Sequence, residues 1–351
     1  MIGGMRAPDS GPAASDRGLV APDRGLTGFP DVPADARIVD LAWNAITEVP
    51  ERVAGLAALE ELRLDGNRLR ELPALSGLTT LRALHLDGNE LTRLPALPAA
   101  LETLFLYGNR VAALPDPLPP ALRHLAAGGN GLSGVPESLW KLTGLESLNL
   151  AENALTAIPA AIGGLTRLRM LDLGHNRLTT IPPELGDLPL TDYLYLSDNA
   201  FTEVPESIGR LDRLAYLNLT DNRLERLPDA IGSMAALVEL RLYNNRLERL
   251  PGSLGRLSRL RELHLQGNRL RELPETLPGG LRQLDLRNNL LRALPARLPA
   301  GLKQLDLRNN RLRELPADLP DLDKLDLRWN KLDGEPEVLR RLEARGCVIL
   351  R

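Results

Sequence analysis

From about residue 36 onward the apolar positions follow one scheme: leucine or a relative at the first, fourth and sixth places of a nine-residue segment, then asparagine at the ninth. Variable residues, most of them polar, small or aromatic, fill the third, fifth, seventh and eighth places. Apolar and polar residues alternating over so short a span predict a strand, whose successive side chains point to opposite faces. Fourteen such segments occur, ending at Asn44, Asn67, Asn89, Asn109, Asn130, Asn153, Asn176, Asn199, Asn222, Asn245, Asn268, Asn289, Asn310 and Asn330, spaced 20 to 23 residues apart. Repetition at this period predicts stacked units sharing one continuous core, none of which can bury its apolar face alone. The leucines point into that stack. Each asparagine turns the chain out of its strand, and its amide can answer both donors and acceptors of the buried backbone there. Fourteen of them in register predict a structural asparagine ladder.

Two kinds of return segment connect the strands. After Asn153, Asn176, Asn199, Asn222 and Asn245 the chain resembles "LTAIPAAIGGLTRL" (155–168), with an early proline and spaced apolar residues that predict a short helical or 3₁₀ turn. After Asn89, Asn109, Asn268, Asn289 and Asn310 it resembles "LRALPARLPAGL" (291–302), where closely spaced prolines predict an extended, polyproline-like return. Residues 1–28, rich in Gly, Pro, Asp and Arg, are expected to be a flexible segment. Residues 29–330 form the repeat domain of fourteen units. Residues 331–351 are expected to close the stack as a cap, a helix near 336–344 followed by a strand near 347–350.

The L-x-x-L-x-L-x-x-N segments identify the chain as a member of the leucine-rich repeat family. The fold this implies is an α/β solenoid, a horseshoe with a parallel concave β-sheet of about fourteen strands, convex 3₁₀ or short-helical and polyproline-like returns, and a C-terminal helix-strand cap. The longer units, with "IPAAIGGLTRL" returns, resemble those of cytoplasmic scaffolds of the Ras-pathway and scribble groups. The shorter ones, as in residues 94–109, resemble bacterial effector repeats of the YopM and IpaH type. Neither resemblance brings a catalytic residue with it.

Composition narrows the function. A net charge of −3 and a pI near 5.9 argue against nucleic acid and anionic membranes as partners, since both call for a basic surface. The single cysteine, Cys347, cannot form an internal disulfide and is read as a buried cap residue. Without an apolar run of signal-peptide length the expected compartment is the cytoplasm, the alternative being secretion without a Sec-type signal. The chain has no Gly-Lys pair, so a Walker loop is absent. His85 and His264 lie eight rungs apart, roughly 38 Å at strand spacing, and His85 and His124 two rungs apart. No two histidines can share an ion, so neither metal nor cofactor is expected.

The variable strand positions hold the chemistry. All five tyrosines and all four histidines fall there, although these places make up a small part of the chain. Tyrosine is a good strand former, but histidine has no such preference. Rings on a rigid sheet suit binding hot spots, giving large area at small entropic cost. The patch of Tyr193, Tyr195, Tyr216, Asn218, Arg241, Tyr243 and His264 is the expected partner-binding site on the concave face, with His85, Phe105, Tyr107 and His124 as a secondary patch. Asp285, Asp306 and Asp326 beside Arg287, Arg308 and Arg328 read as a self-neutralising charge ladder. The expected function is therefore a non-enzymatic, monomeric module that binds a protein, as a cytoplasmic scaffold or signalling adaptor. An exported effector, or an inhibitor or regulator of a partner enzyme, is the alternative.

Overall fold

The computed structural model describes residues 18–351 and, of the backbone before them, a strand at Ala13–Ser15. The rest of residues 1–17 lies outside the described residues, and with it much of the segment expected to be flexible. The chain divides into two compact units, the first running to Leu145 and the second spanning Glu146–Arg351.

The first unit contains β1 (Ala13–Ser15), β2 (Gly18–Val20), β3 (Ile38–Asp40), β4 (Glu61–Arg63), β5 (Ala83–His85), β6 (Thr103–Phe105) and β7 (His124–Ala126). β1 pairs antiparallel with β2, and β2 through β7 are parallel neighbours in chain order. The second unit contains β8 (Ser147–Asn149), β9 (Met170–Asp172), β10 (Tyr193–Tyr195), β11 (Tyr216–Asn218), β12 (Glu239–Arg241), β13 (Glu262–His264), β14 (Gln283–Asp285), β15 (Gln304–Asp306), β16 (Lys324–Asp326) and β17 (Val348–Leu350). All ten are parallel neighbours in chain order.

The fourteen strands expected from the asparagine register are β3 to β16. Within each unit their middle residues form a sealed column. Leu194, for example, sits opposite Leu171 and Leu217, all three fully buried. Each such side chain contributes about 1.5–3 kcal/mol by leaving water.

The ladder takes the expected form. Asn222 donates through Nδ2 to the carbonyls of Leu196 (3.0 Å), Leu219 (3.2 Å) and Thr220 (3.0 Å), while its Oδ1 accepts the Phe201 N–H at 3.1 Å. One amide thus ties its own strand exit to the preceding rung. Asn67, Asn245 and Asn310 repeat the arrangement.

Five expected helical returns are 3₁₀ turns: Ala160–Gly164, Pro183–Asp187, Glu206–Arg210, Asp229–Ser233 and Gly252–Arg256. Two more, Glu51–Gly55 and Glu137–Lys141, follow Asn44 and Asn130, where the sequence reading assigned no return type. Each of the seven is entered from a proline in extended conformation. Proline fixes φ, lacks an N–H that would need a partner, and offers its carbonyl to the third residue on, as Pro205 does to Ile208 at 3.1 Å. In the returns after Asn89, Asn109, Asn268, Asn289 and Asn310, expected to be extended, no 3₁₀ turn forms.

Both ends differ from a plain repeat. β2 lies upstream of the boundary expected at Phe29, with Leu19 and Ala21 buried against β3. It belongs to a degenerate rung in which Asp23, at φ +53°, corresponds to Trp43, and Arg24 stands where the asparagine would be. Asn44 Oδ1 accepts the N–H groups of Arg24 and Leu26, each at 3.0 Å, and so joins that rung to the ladder. At the other end α1 (Glu337–Ala344) presses Val338, Leu339 and Leu342 inward, and β17 pairs with β16. Cys347 is buried beside it, and burial pushes its thiol above the usual range.

Candidate functional site

Strand geometry forces Tyr193 and Tyr195 to the face opposite Leu194, which is sealed in the core. There the two rings stack, with centroids 4.7 Å apart and planes 25° apart. Tyr216, one rung on, meets Tyr195 edge to face at 5.2 Å and 79°. The guanidinium of Arg241, a further rung on, lies 5.4 Å from the Tyr216 ring centroid, in cation–π range. Glu239 Oε1 holds that guanidinium through Nε at 2.5 Å. Three rings and a cation therefore form one continuous, half-buried surface on three adjacent strands.

The electrostatics keep this surface chemically constant. Burial raises the phenol of Tyr216 above its ordinary range, against the opposing pull of Arg241. Tyr193 and Tyr195 are raised for the same first reason, with the Asp172 carboxylate adding to it. All three phenols stay protonated at neutral pH and can donate a hydrogen bond.

The other residues expected here take different roles. Asn218 turns its Oδ1 to the Thr220 N–H at 3.1 Å, which closes the turn after its own strand. Asp172, Asp285, Asp306 and Asp326 do the same for the residue two further on. The aspartate row is thus more than a charge ladder: it forms a set of strand-end caps, and Asp285 and Asp326 are buried while capping. Tyr243 and His264 border an open basin of about 600 Å³ whose lining also includes Arg241, Gln266, Arg287, Arg308 and Trp329. His264 Nε2 stands 3.3 Å from Glu262 Oε2 and 3.8 Å from Glu239 Oε1. Those three side chains bring ligand-type atoms within 4.8 Å of one another, a grouping that the sequence search by histidine pairs did not consider. Arg241 shares Glu239 with His264, so the group reads as a polar network around that carboxylate.

In the first unit the secondary patch is smaller. His85 and Phe105 meet edge to face at 5.1 Å, and His85 Nε2 is 3.7 Å from Glu61 Oε1. The Tyr107 ring lies across Gly129, and the Tyr107 N–H is held by Asp87 Oδ1 at 2.6 Å. His124 opens β7 in register with Thr103.

Sequence reasoning missed the conformation of the eighth position, just before each ladder asparagine. Every residue there has positive φ, from Trp43 at 58° through Asp198 at 49° to Trp329 at 60°. The signal was present in the residue types, because Gly, Asn and Asp, which tolerate the left-handed region, fill most of these places.

Comparisons with known proteins agree with this geometry. The family described as "Leucine-rich repeat region" matches residues 160–279, and "Leucine rich repeat" matches 36–91, 120–178 and 279–332. A leucine-rich repeat protein of Leptospira interrogans is 33% identical, superposes with a TM-score of 0.82, and is matched over 90% of this chain and 84% of its own. YopM from Yersinia enterocolitica is 30% identical with a TM-score of 0.71, over 91% of this chain and 70% of its own. The curated Drosophila melanogaster "Leucine-rich repeat and calponin homology domain-containing protein" is 42% identical over 124 residues, 33% of this chain. This chain spans only 15% of that relative's length.

The chain belongs to the leucine-rich repeat family. Its fold is that of a protein-interaction module. Among the described residues no helix is long and apolar enough to cross a membrane.

Proposed function

We propose that this chain captures a protein partner on the tyrosine surface of its second unit and acts without catalysing a reaction. The observation that supports this reading is the continuous contact of Tyr193, Tyr195, Tyr216 and Arg241 on strands that the leucine column holds rigid. Rings held in place lose little freedom on binding, so their contact area converts efficiently into affinity. Tyr243 and His264 extend the contact toward the C-terminal rungs, and the His85–Phe105 patch is secondary. A cytoplasmic scaffold or adaptor, working as a monomer without cofactor, fits this arrangement.

The likeness to YopM favours a second setting, in which the same surface works after export as an effector. Fractionating culture supernatant against cytosol separates the two. The binding claim is tested by affinity capture with the wild type beside Tyr195→Ala/Tyr216→Ala, read by mass spectrometry. Partners should be lost from the variant while its melting curve stays in place. Equal recovery by both proteins would overturn the assignment.

A further inference from the structure

The basin beside the tyrosines has an unusual distribution of charge. Arg241, Arg287 and Arg308 line it, and no carboxylate does. Their counter-ions lie beneath. Arg287 Nε is 3.3 Å from Asp285 Oδ2, Arg308 Nη2 is 2.6 Å from Asp306 Oδ2, and Arg308 Nε is 3.2 Å from Asp326 Oδ2. The Asp285 and Asp326 side chains are only 12% and 3% exposed, so they act as a floor that anchors the guanidiniums from below. A guanidinium carries five N–H donors, and these contacts leave donors at its Nη end. Anything entering the basin therefore meets donors first.

Two further features define what enters. Gln266 stands in the wall with its Oε1 turned inward and lacking a hydrogen-bond partner, and a turn of the side chain would present that acceptor to an N–H. Trp329, 70% exposed at φ +60°, forms the far edge and holds a backbone conformation that a bulky residue adopts only at a cost. A ligand that offers carboxylates to the arginines, N–H groups to Gln266 and apolar surface to Trp329 and the tyrosines is a peptide.

We infer that this basin binds an extended acidic peptide segment of a partner protein, laid across the strands, its carboxylates on Arg241, Arg287 and Arg308. The inference rests on the binding reading above and deepens it. Floor carboxylates balance the arginines, so a singly charged group is favoured over a doubly charged one, and recognition comes from directed hydrogen bonds on preorganised donors. Arg241 and Arg308 are three rungs apart, roughly 14 Å along the stack, the reach of about four residues of extended chain. Two acidic residues at i and i+4 match that interval, with an apolar or aromatic residue next to them over Tyr216 and Tyr195.

Selection of a random displayed peptide library on the full chain tests this. Enriched sequences should carry Asp or Glu pairs four residues apart beside an apolar residue. Changing both acids of a labelled synthetic winner to their amides should weaken binding, read by fluorescence anisotropy, by roughly tenfold or more. Arg287→Gln/Arg308→Gln should weaken the acidic peptide by as much and the amide peptide far less, the coupling expected of partners in contact. Acid-free winners, no winners, or amide peptides that bind within about twofold would overturn the inference. Tighter binding with phosphoserine in place of each acid would also overturn it, in favour of a phosphate ligand. Loss of binding in Tyr195→Ala/Tyr216→Ala reports separately on the tyrosine surface, so a failure of acid recognition is distinguishable from a failure of the site.

Discussion

The two units treat the residue before the ladder asparagine in opposite ways. In the first unit the five residues before a ladder asparagine all have positive φ; four are Gly66, Gly88, Gly108 and Gly129, and only Trp43 carries a side chain. In the second unit they are Glu152, His175, Asp198, Asp221, Asn244, Asn288, Asn309 and Trp329, with Gly267 the exception. A side chain in the left-handed region costs roughly 1 kcal/mol or more, less for Asn and Asp. The second unit accepts this strain, and its rim becomes a chain of polar links: His175 to Asp198 at 2.7 Å, Asn244 to Asp221 at 2.8 Å, Asn309 to Asn288 at 3.0 Å. That decorated rim runs beside the tyrosines and the arginine basin. Strain retained next to a candidate binding surface points to selection for what the side chains present.

Glycine is placed differently in the second unit's returns too. A Cβ on Gly209 would lie 2.4 Å from the Ala230 carbonyl of the next return, and one on Gly232 2.3 Å from that of Ser253. On Gly55, in the first unit, it would meet nothing within 4 Å.

The largest expected effect separates the two aromatic patches. Tyr195→Ala/Tyr216→Ala should weaken a captured partner by about a hundredfold or more, whereas His85→Ala/Phe105→Ala should change it by less than about twofold, both measured by titration calorimetry. Equal losses would make the patches one site and end the contrast. Next come the returns. Gly209→Ala should cost about 1–3 kcal/mol in urea unfolding because backbone must move, while Gly55→Ala should be neutral or stabilise by about 0.4–1 kcal/mol. Asn222→Leu leaves buried backbone groups unpaired and should likewise cost about 1–3 kcal/mol. At the rim, Trp329→Gly should stabilise by up to about 1 kcal/mol while weakening acidic-peptide binding, and Gly108→Ala should destabilise by about as much. A Trp329→Gly variant that melts earlier than wild type would show that the indole supports the fold.

The smallest effect is a difference in pH response. Burial raises the Asp87 carboxyl in the first unit, against the Tyr107 N–H that favours its charge. Its ionised form costs stability at neutral pH, and that cost fades as pH falls through its raised folded value. Burial also pushes Asp326 up, but hydrogen bonds from the Arg328 side chain and N–H and the charges of Arg308 and Arg328 outweigh it and hold the carboxyl below its ordinary value. Its stabilisation is present above the unfolded value of about 3.8 and is lost as pH falls through the lowered folded value. At neutral pH Asp326→Asn should therefore destabilise and Asp87→Asn should stabilise, with both differences shrinking in acid. Urea midpoints followed from neutral to acid pH check the signs.

Much of this was legible in the residues. The asparagine register located fourteen strands, because the inward apolar positions recur in every segment, with Thr191 the one polar residue among them, and strand alternation then fixes the outward face. The same alternation placed Tyr193 and Tyr195 together on that face. The rung at Gly18–Val20 was not legible, since Arg24 replaces the asparagine and only Leu19 and Ala21 point inward. Nor was the capping role of Asn218 and the aspartates, because a short polar side chain on a strand reads alike whether it faces a partner or its own backbone.

What the sequence by itself determined is the repeat, its register and the side of each strand on which every residue falls. These depend on chain-local rules, periodicity and the burial of apolar groups. What only the tertiary structure decided is which outward residues touch across rungs and which are consumed: the stack of Tyr195 on Tyr193, the guanidiniums propped from below by buried aspartates, the orphaned Gln266 oxygen. Those depend on the rotamers and heights of the side chains, both within a strand and between neighbouring rungs, and the alternation of apolar and polar positions does not record them.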